Sequence, residues 1–339
     1  EGMITDRRVA VIGAGSWGTA LANLLAKKGI ETTLWAYEPE VASSIETRHR
    51  NPLYLSEVDL DPRLRATSSM EEALRGATVV VSVSPSHVVR QVMTRAAPLI
   101  EPGAMIVSAS KGIEVDTLQM MDGVLAEVLP PELSRRTAFL SGPSFALEVA
   151  REFPTAVTIA SHDPVVAAAA QELFQTDYFR VYTTGDVRGV EIGGSLKNVI
   201  AIASGVVAGM GLGHNTQAAL ITRGLAEITR LGVALGAQPL TLAGLAGMGD
   251  LILTCTGALS RNRSLGLAIG QGKRLEEATA GSIMVVEGVR TTRSARALAL
   301  RHGVEMPIVE EVYAMLFEGR SPRESVGHLM SRDPKPEWR

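Results

Sequence analysis

Through the first half of the chain, short β-branched and apolar runs alternate with segments whose apolar residues fall at helical spacing. Residues 8–13 (RVAVIG) form such a run and end in glycine, and residues 16–28 then carry Ala20, Leu21, Leu24 and Leu25 on one helical face. Residues 31–36 (ETTLWA) predict a second strand, and residues 78–84 (TVVVSVS) are almost continuously apolar. Residues 105–108, 138–141, 156–160 and 179–182 continue the series. Runs of this kind suit strands buried on both faces of a parallel sheet. Strands alternating with helices predict an α/β unit built on a doubly wound, mostly parallel sheet.

The second half has a different pattern. Beyond Arg188 no strand is predicted, and residues 215–237 place Ala218, Ile221, Leu225, Ile228, Leu231 and Leu235 at steps of three and four. Residues 266–270, 287–303 and 307–318 read as further helices. The expectation is a nucleotide-binding α/β domain over residues 1–188 and an all-α domain over residues 189–339, a size at which two cores are the default.

Composition narrows the class of partner. With 33 basic and 36 acidic residues the net charge is −3, which gives no electrostatic footprint for nucleic acid or an anionic membrane. The single cysteine, Cys255, allows no intrachain disulfide and points to a reducing, cytoplasmic setting, with the thiol packed and inert. None of the six histidines has metal-ligand spacing, so no metal is expected. Glu1-Gly2 ahead of Met3 read as residues added before the natural start. The uncharged run 199–213 is too short for a membrane span and reads as a buried helix.

Gly13-Ala14-Gly15-Ser16-Trp17-Gly18 is a G-x-G-x-x-G turn between a predicted strand and a predicted helix, the context that a dinucleotide requires. The first glycine permits the tight turn, the second lets backbone approach a pyrophosphate, and the third allows close helix–strand contact. Free N–H groups at the helix start would meet the phosphate charge. Tyr37-Glu38 follows the second strand, and Glu38 is placed either to hold ribose hydroxyls or as a solvated loop carboxylate. A carboxylate there repels a 2′-phosphate and tilts the cofactor from NADP toward NAD.

Polar islands interrupt the apolar sequence elsewhere. Ser108-Ala109-Ser110-Lys111-Gly112 and Ser141-Gly142-Pro143-Ser144-Phe145-Ala146 each follow a strand, where open α/β sheets bind ligands; both also read as ordinary strand–helix turns. Gly247-Met248-Gly249-Asp250 embeds a carboxylate among apolar residues, and it needs a partner. Ser260-Arg261-Asn262-Arg263 offers guanidinium and amide donors suited to phosphate, or is a solvated loop. Val285-Val286-Glu287-Gly288 reads as a helix start. Lys197, in GGSLKNVIAI, stands at the head of the uncharged run. It is either a lysine snorkelling from a domain edge or, near a helix start, one whose proton affinity desolvation and dipole pull toward neutrality.

Together, GAGSWGTALA, SASKGIE, SGPSFA, GGSLKNVIAI, NTQAALITRGLAE, GMGDLILTCT, SRNR and VVEG resemble, in order, the bacterial NAD(P)-dependent glycerol-3-phosphate dehydrogenases. The resemblance covers residues 8 to 320 and implies a Rossmann-type amino-terminal domain with a helical carboxy-terminal one. It implies reversible reduction of dihydroxyacetone phosphate to sn-glycerol 3-phosphate, the phospholipid precursor, by a cytoplasmic homodimer using NAD or NADP. On it, Lys197 matches the proton donor/acceptor, and Lys111 a lysine touching both cofactor and substrate. Gly142, Ser144, Asp250, Ser260, Arg261 and Asn262 match substrate contacts, as does Thr254 by way of eukaryotic relatives. Ser16, Trp17, Ala146, Arg261, Val285 and Glu287 match the cofactor side, beside Gly13, Gly15, Gly18, Tyr37 and Glu38. Many members carry a basic pair such as His-Arg where Tyr37-Glu38 stand here, so NAD is expected to serve at least as well as NADP. The rival readings are another two-domain β-hydroxyacid-type dehydrogenase, a non-catalytic NAD-sensing regulator, and a structural helical dimerisation module.

Overall fold

The structure, a computed structural model, describes residues 7–283 and 285–338; Glu1-Gly2 lie outside the described residues. Eight strands form one sheet: β1 (Arg8–Ile12), β2 (Glu31–Trp35), β3 (Arg65–Thr67), β4 (Val79–Ser82), β5 (Met105–Ser108), β6 (Thr137–Ser141), β7 (Thr155–Ala160) and β8 (Phe179–Thr184). Their order is β3-β2-β1-β4-β5-β6-β7-β8. All neighbours run parallel except β6 and β7.

The apolar runs explain the sheet. Successive side chains point to opposite faces, so Val9, Val11, Val79, Val81, Met105 and Val107 enter one core. Ala10, Ile12, Val80 and Ile106 enter another on the reverse side. Both faces are covered, which is why the strands carry no polar alternation. The edge strand β3 escapes the sequence pattern because it has three residues, Arg-Ala-Thr, and its first is exposed.

The strands end at Thr184, and Asp186 starts the long helix Val187–Gly209. Asp186 accepts from the Gly189 N–H at 3.0 Å and, through its other oxygen, from the Gln238 N–H at 2.9 Å. This helix is longer than the run 199–213 suggested, because Glu191 and Lys197 are buried with the apolar residues. At 23 residues it is long and apolar enough to cross a membrane, but here it is the centre of a third core. Around it pack helices that include His214–Ala234, Arg261–Gly270, Glu287–His302 and Pro307–Phe317. Among the described residues no strand follows β8.

Candidate active site

β1 and β4 are neighbours from opposite halves of the strand order, the point at which open α/β sheets leave a crevice at their carboxyl ends. A cavity of about 570 Å³ lies there, between the sheet and the helical part. Gly13, Gly15, Ser16, Trp17 and Gly18 line it. Gly13 has φ +124°, and a Cβ on Gly18 would stand 1.9 Å from the Gly13 carbonyl oxygen, so the turn folds only with glycines at both places. A Cβ on Gly15 would meet nothing within 4 Å, so backbone there is open to a ligand. The helix Ser16–Lys27 starts at this turn with no side chain capping it, and Trp17 Nε1 is buried without a partner. Unsatisfied donors, glycine backbone and cavity size fit a dinucleotide.

Tyr37 and Glu38 follow β2 and line the same cavity. Glu38 Oε1 accepts from the Tyr54 hydroxyl at 2.7 Å, and the Tyr54 carbonyl accepts from the Ser16 hydroxyl at 2.6 Å. Tyr54 thereby joins the glycine turn to the carboxylate. Sequence reasoning missed it, since nothing local marks a loop tyrosine. It also missed Ser84 and Pro85 after β4, which line the cavity. The strand-end rule applied to Lys111 would have found them.

The chemistry concentrates on Asp250, which is 1% exposed. Lys197 Nζ donates to its Oδ1 and Lys111 Nζ donates to its Oδ2 at 2.9 Å. The Thr254 hydroxyl donates to the Asp250 carbonyl at 2.7 Å. Lys111 also faces the Gly142 carbonyl at 3.5 Å, to which the Ser144 hydroxyl donates at 3.1 Å. Lys111, Lys197, Thr254 and Ser144 line the cavity; Asp250 and Gly142 stand behind the two lysines. Ala146 does not line it and packs on the core beneath.

Burial pushes the Lys197 ammonium down to about 8; Asp250 opposes that effect and Lys111 adds to it. The helix dipole has no part, because Lys197 lies mid-helix, ten residues beyond Val187, where terminal charge has faded. Nor do the neighbouring glycines make room for a ligand. A Cβ on Gly193 would stand 2.5 Å from the Ala246 carbonyl oxygen, and one on Gly194 2.7 Å from Ser141 Oγ, so both admit close packing. Burial raises the Cys255 thiol to about 12 and keeps it inert.

Ser260-Arg261-Asn262 is a helix start and not a loop: the Ser260 hydroxyl caps helix Arg261–Gly270 by accepting from the Arg263 N–H at 3.1 Å. All three residues line the cavity. Asn262 is fixed, donating to Asn198 Oδ1 at 3.0 Å and accepting from the Gly288 N–H at 2.8 Å. Asn198, beside Lys197, is a further cavity residue that the sequence reading passed over. Arg261 makes no hydrogen bond among the described residues; burial lowers its proton affinity and the charge of Glu287 opposes that, and a guanidinium at a helix start is suited to phosphate. Val285 lines the cavity, and Glu287 spans it to accept from both the N–H and the hydroxyl of Ser86, at the start of helix Ser86–Ala96.

Two family models match this chain in succession. The amino-terminal model of the NAD-dependent glycerol-3-phosphate dehydrogenases matches residues 8–167, and the carboxy-terminal model matches residues 186–327. The chain belongs to the NAD-dependent glycerol-3-phosphate dehydrogenase family. A glycerol-3-phosphate dehydrogenase [NAD(P)+] of Geobacter sulfurreducens is 60% identical over 98% of this chain and 99% of that protein. The corresponding protein of Geobacter metallireducens is 59% identical over 97% and 98%. The crystal structure of glycerol-3-phosphate dehydrogenase from Coxiella burnetii superposes with a TM-score of 0.91 at 40% identity, covering 96% of this chain and 99% of that one. Sheet and helical part are thus those of this dehydrogenase family, whose cofactor is NAD or NADP.

Proposed function

We propose that the protein is an oxidoreductase that reversibly reduces dihydroxyacetone phosphate to sn-glycerol 3-phosphate with NAD(P)H. The observation that carries the reading is the paired lysines on one buried carboxylate, at a cavity that also holds the dinucleotide turn and Arg261. The nicotinamide, when bound, supplies or receives the hydride. Lys197 gives its proton to the C2 oxygen as the alcohol forms and takes it back in reverse, a task suited to an ammonium held near 8. Asp250 fixes Lys197 and Lys111, so that the second ammonium polarises the same oxygen while both stay in register. Arg261, Ser260 and Asn262 bind the phosphate; Ser144 and Thr254 close the substrate's other side, and Gly142 behind them holds Lys111 and Ser144 through its carbonyl. Gly13, Gly15, Ser16, Trp17, Gly18, Tyr37, Glu38, Val285 and Glu287 surround the dinucleotide, with Ala146 supporting them from below.

On this reading residues 1–188 form the dinucleotide-binding domain, from which Lys111 and Ser144 reach the substrate, and residues 189–339 form the helical substrate-binding domain, from which Val285 and Glu287 reach the cofactor; the end of β8 at Thr184 supports the division. The enzyme acts in the cytoplasm as a homodimer, supplies glycerol 3-phosphate for phospholipid synthesis, neither inserts into a membrane nor binds nucleic acid, and favours NAD. The test is NADH oxidation on adding dihydroxyacetone phosphate, with unphosphorylated dihydroxyacetone as control. Absence of turnover with the phosphate rejects the reading. A non-catalytic NAD sensor would keep its biological effect in Lys197→Ala, whereas the enzyme loses turnover and still binds NADH.

A further inference from the structure

Lys111 separates two spaces. One is the large cavity, and the other is a small one of about 10 Å³, walled in part by Ser108, Ser110, Lys111, Ser141, Glu191 and Ser195. That volume has room for the centre of one water molecule. Three polar atoms of its walls are buried without a partner: Ser108 Oγ, Ser141 Oγ and Glu191 Oε2. They come from separate elements, the ends of β5 and β6 and the helix Val187–Gly209. Their residues are 1%, 3% and 9% exposed. The other oxygen of Glu191 accepts from the Asp122 N–H at 2.9 Å, so this side chain is anchored. Leaving three such atoms unpaired would cost each its desolvation, whereas one water can make three hydrogen bonds. Burial, then Asp122, raises the proton affinity of Glu191 well above the carboxylate range, so its carboxyl can donate as well as accept.

Lys111 depends on these walls. A Cβ on Gly194 would stand 2.7 Å from Ser141 Oγ and 3.3 Å from Lys111 Cδ, so hydroxyl and lysine stem rest on the same turn of helix. Ser141 directly precedes Gly142, whose carbonyl faces the Lys111 ammonium. We propose that this small cavity is a binding site for one structural water, held by Ser108, Ser141 and Glu191, and that Glu191 through it is a positioning residue for Lys111. The proposal rests on the assignment of Lys111 to the substrate, while the water itself is independent of that assignment.

A crystal structure at a resolution that reveals ordered solvent tests the water directly. One water within hydrogen-bond distance of Ser108 Oγ, Ser141 Oγ and Glu191 Oε2 is expected, and a dry cavity overturns the site. Kinetics test the positioning. Glu191→Gln keeps a neutral donor and acceptor and should stay within about twofold of the parent in kcat/KM for dihydroxyacetone phosphate. Glu191→Leu and Ser141→Ala should each lose about tenfold or more, the scale expected of a displaced reacting group, with the KM for NADH unchanged. Equal losses in Gln and Leu, a matching change in the KM for NADH, or no loss in Ser141→Ala would each overturn the positioning role. If the parent enzyme does not turn over this substrate, the proposed function fails and the water is still read in the crystal.

Discussion

Gly266 lies so close to Ile202 that a Cβ on it would stand 1.9 Å from the Ile202 carbonyl oxygen. The contact is reciprocal, since a Cβ on Gly205 would stand 2.0 Å from the Arg263 carbonyl oxygen. One turn further along, Gly209 and Gly270 repeat it against Leu267 and Val206, at 2.2 and 2.4 Å. The helices Val187–Gly209 and Arg261–Gly270 therefore meet backbone to backbone, and this contact sets Lys197 and Asn198 beside Arg261 and Asn262. On helix propensity alone, Gly266→Ala would stabilise by about 1 kcal/mol. Here the methyl group meets backbone that cannot move aside, so the variant should lose about 3 kcal/mol as an overpacked core does. Denaturant unfolding measures it, and a variant as stable as the parent would refute the account.

Lys197 sets the pH response. Its ammonium titrates near 8, where an ordinary lysine does so at 10.5. Reduction needs the protonated form, so its rate should fall as pH rises through about 8. Oxidation needs the neutral amine and should rise over the same interval. The folded value lies below the unfolded one, so this group's contribution to stability is full above 10.5 and lost as pH falls through about 8. Rate profiles in both directions, with saturating cofactor, check the opposed limbs; parallel limbs would remove Lys197 from the proton step.

Much of this was legible in the chain. Strands such as VVVS and MIVS are readable because burial on both faces leaves no polar position in them. The glycine turn is readable because its backbone tolerates nothing else. Lys197 and Asp250 announce themselves as charges in apolar sequence, but their pairing spans 53 residues and needs the fold. The same holds for Tyr54 on Glu38 and for Glu287 on Ser86, which join segments with no local signature. The helix start at Arg261 looked like a loop because its cap is a lone serine, and the dipole argument for Lys197 failed because Asp186 starts that helix eleven residues before it.

Asp250 is the shared counter-charge of both lysines, and Asp250→Asn would leave two ammonium groups facing each other across a neutral amide. Removing one partner of a buried ionic group costs about 3–5 kcal/mol when the others stay charged. The alternative open to the site is to release a proton. Asp250 raises the proton affinity of Lys197 and Lys111 lowers it, so the variant's pH break should move below 8 while turnover falls by about a hundredfold or more. A pH–rate profile of the variant decides it. A break that stays near 8 or moves upward contradicts the electrostatic role of Asp250.

Cofactor preference should follow the carboxylate at the end of β2. Glu38 is held by the Tyr54 hydroxyl, and Tyr54 is tied through its carbonyl to Ser16 of the glycine turn, so the negative charge keeps a fixed place in the cavity wall. A 2′-phosphate arriving there would meet like charge in a partly desolvated setting, whereas ribose hydroxyls would find an acceptor. Glu38→Gln removes the charge and keeps an acceptor for Tyr54, so the ratio of kcat/KM for NADPH to that for NADH should rise about tenfold, equivalent to about 1.4 kcal/mol. Tyr54→Phe keeps the charge but frees it to turn toward solvent, and should raise the ratio by a smaller factor. Steady-state kinetics with both cofactors measure these ratios. A parent enzyme that strongly prefers NADPH, or a Glu38→Gln ratio that does not move, would show that Glu38 does not govern the choice.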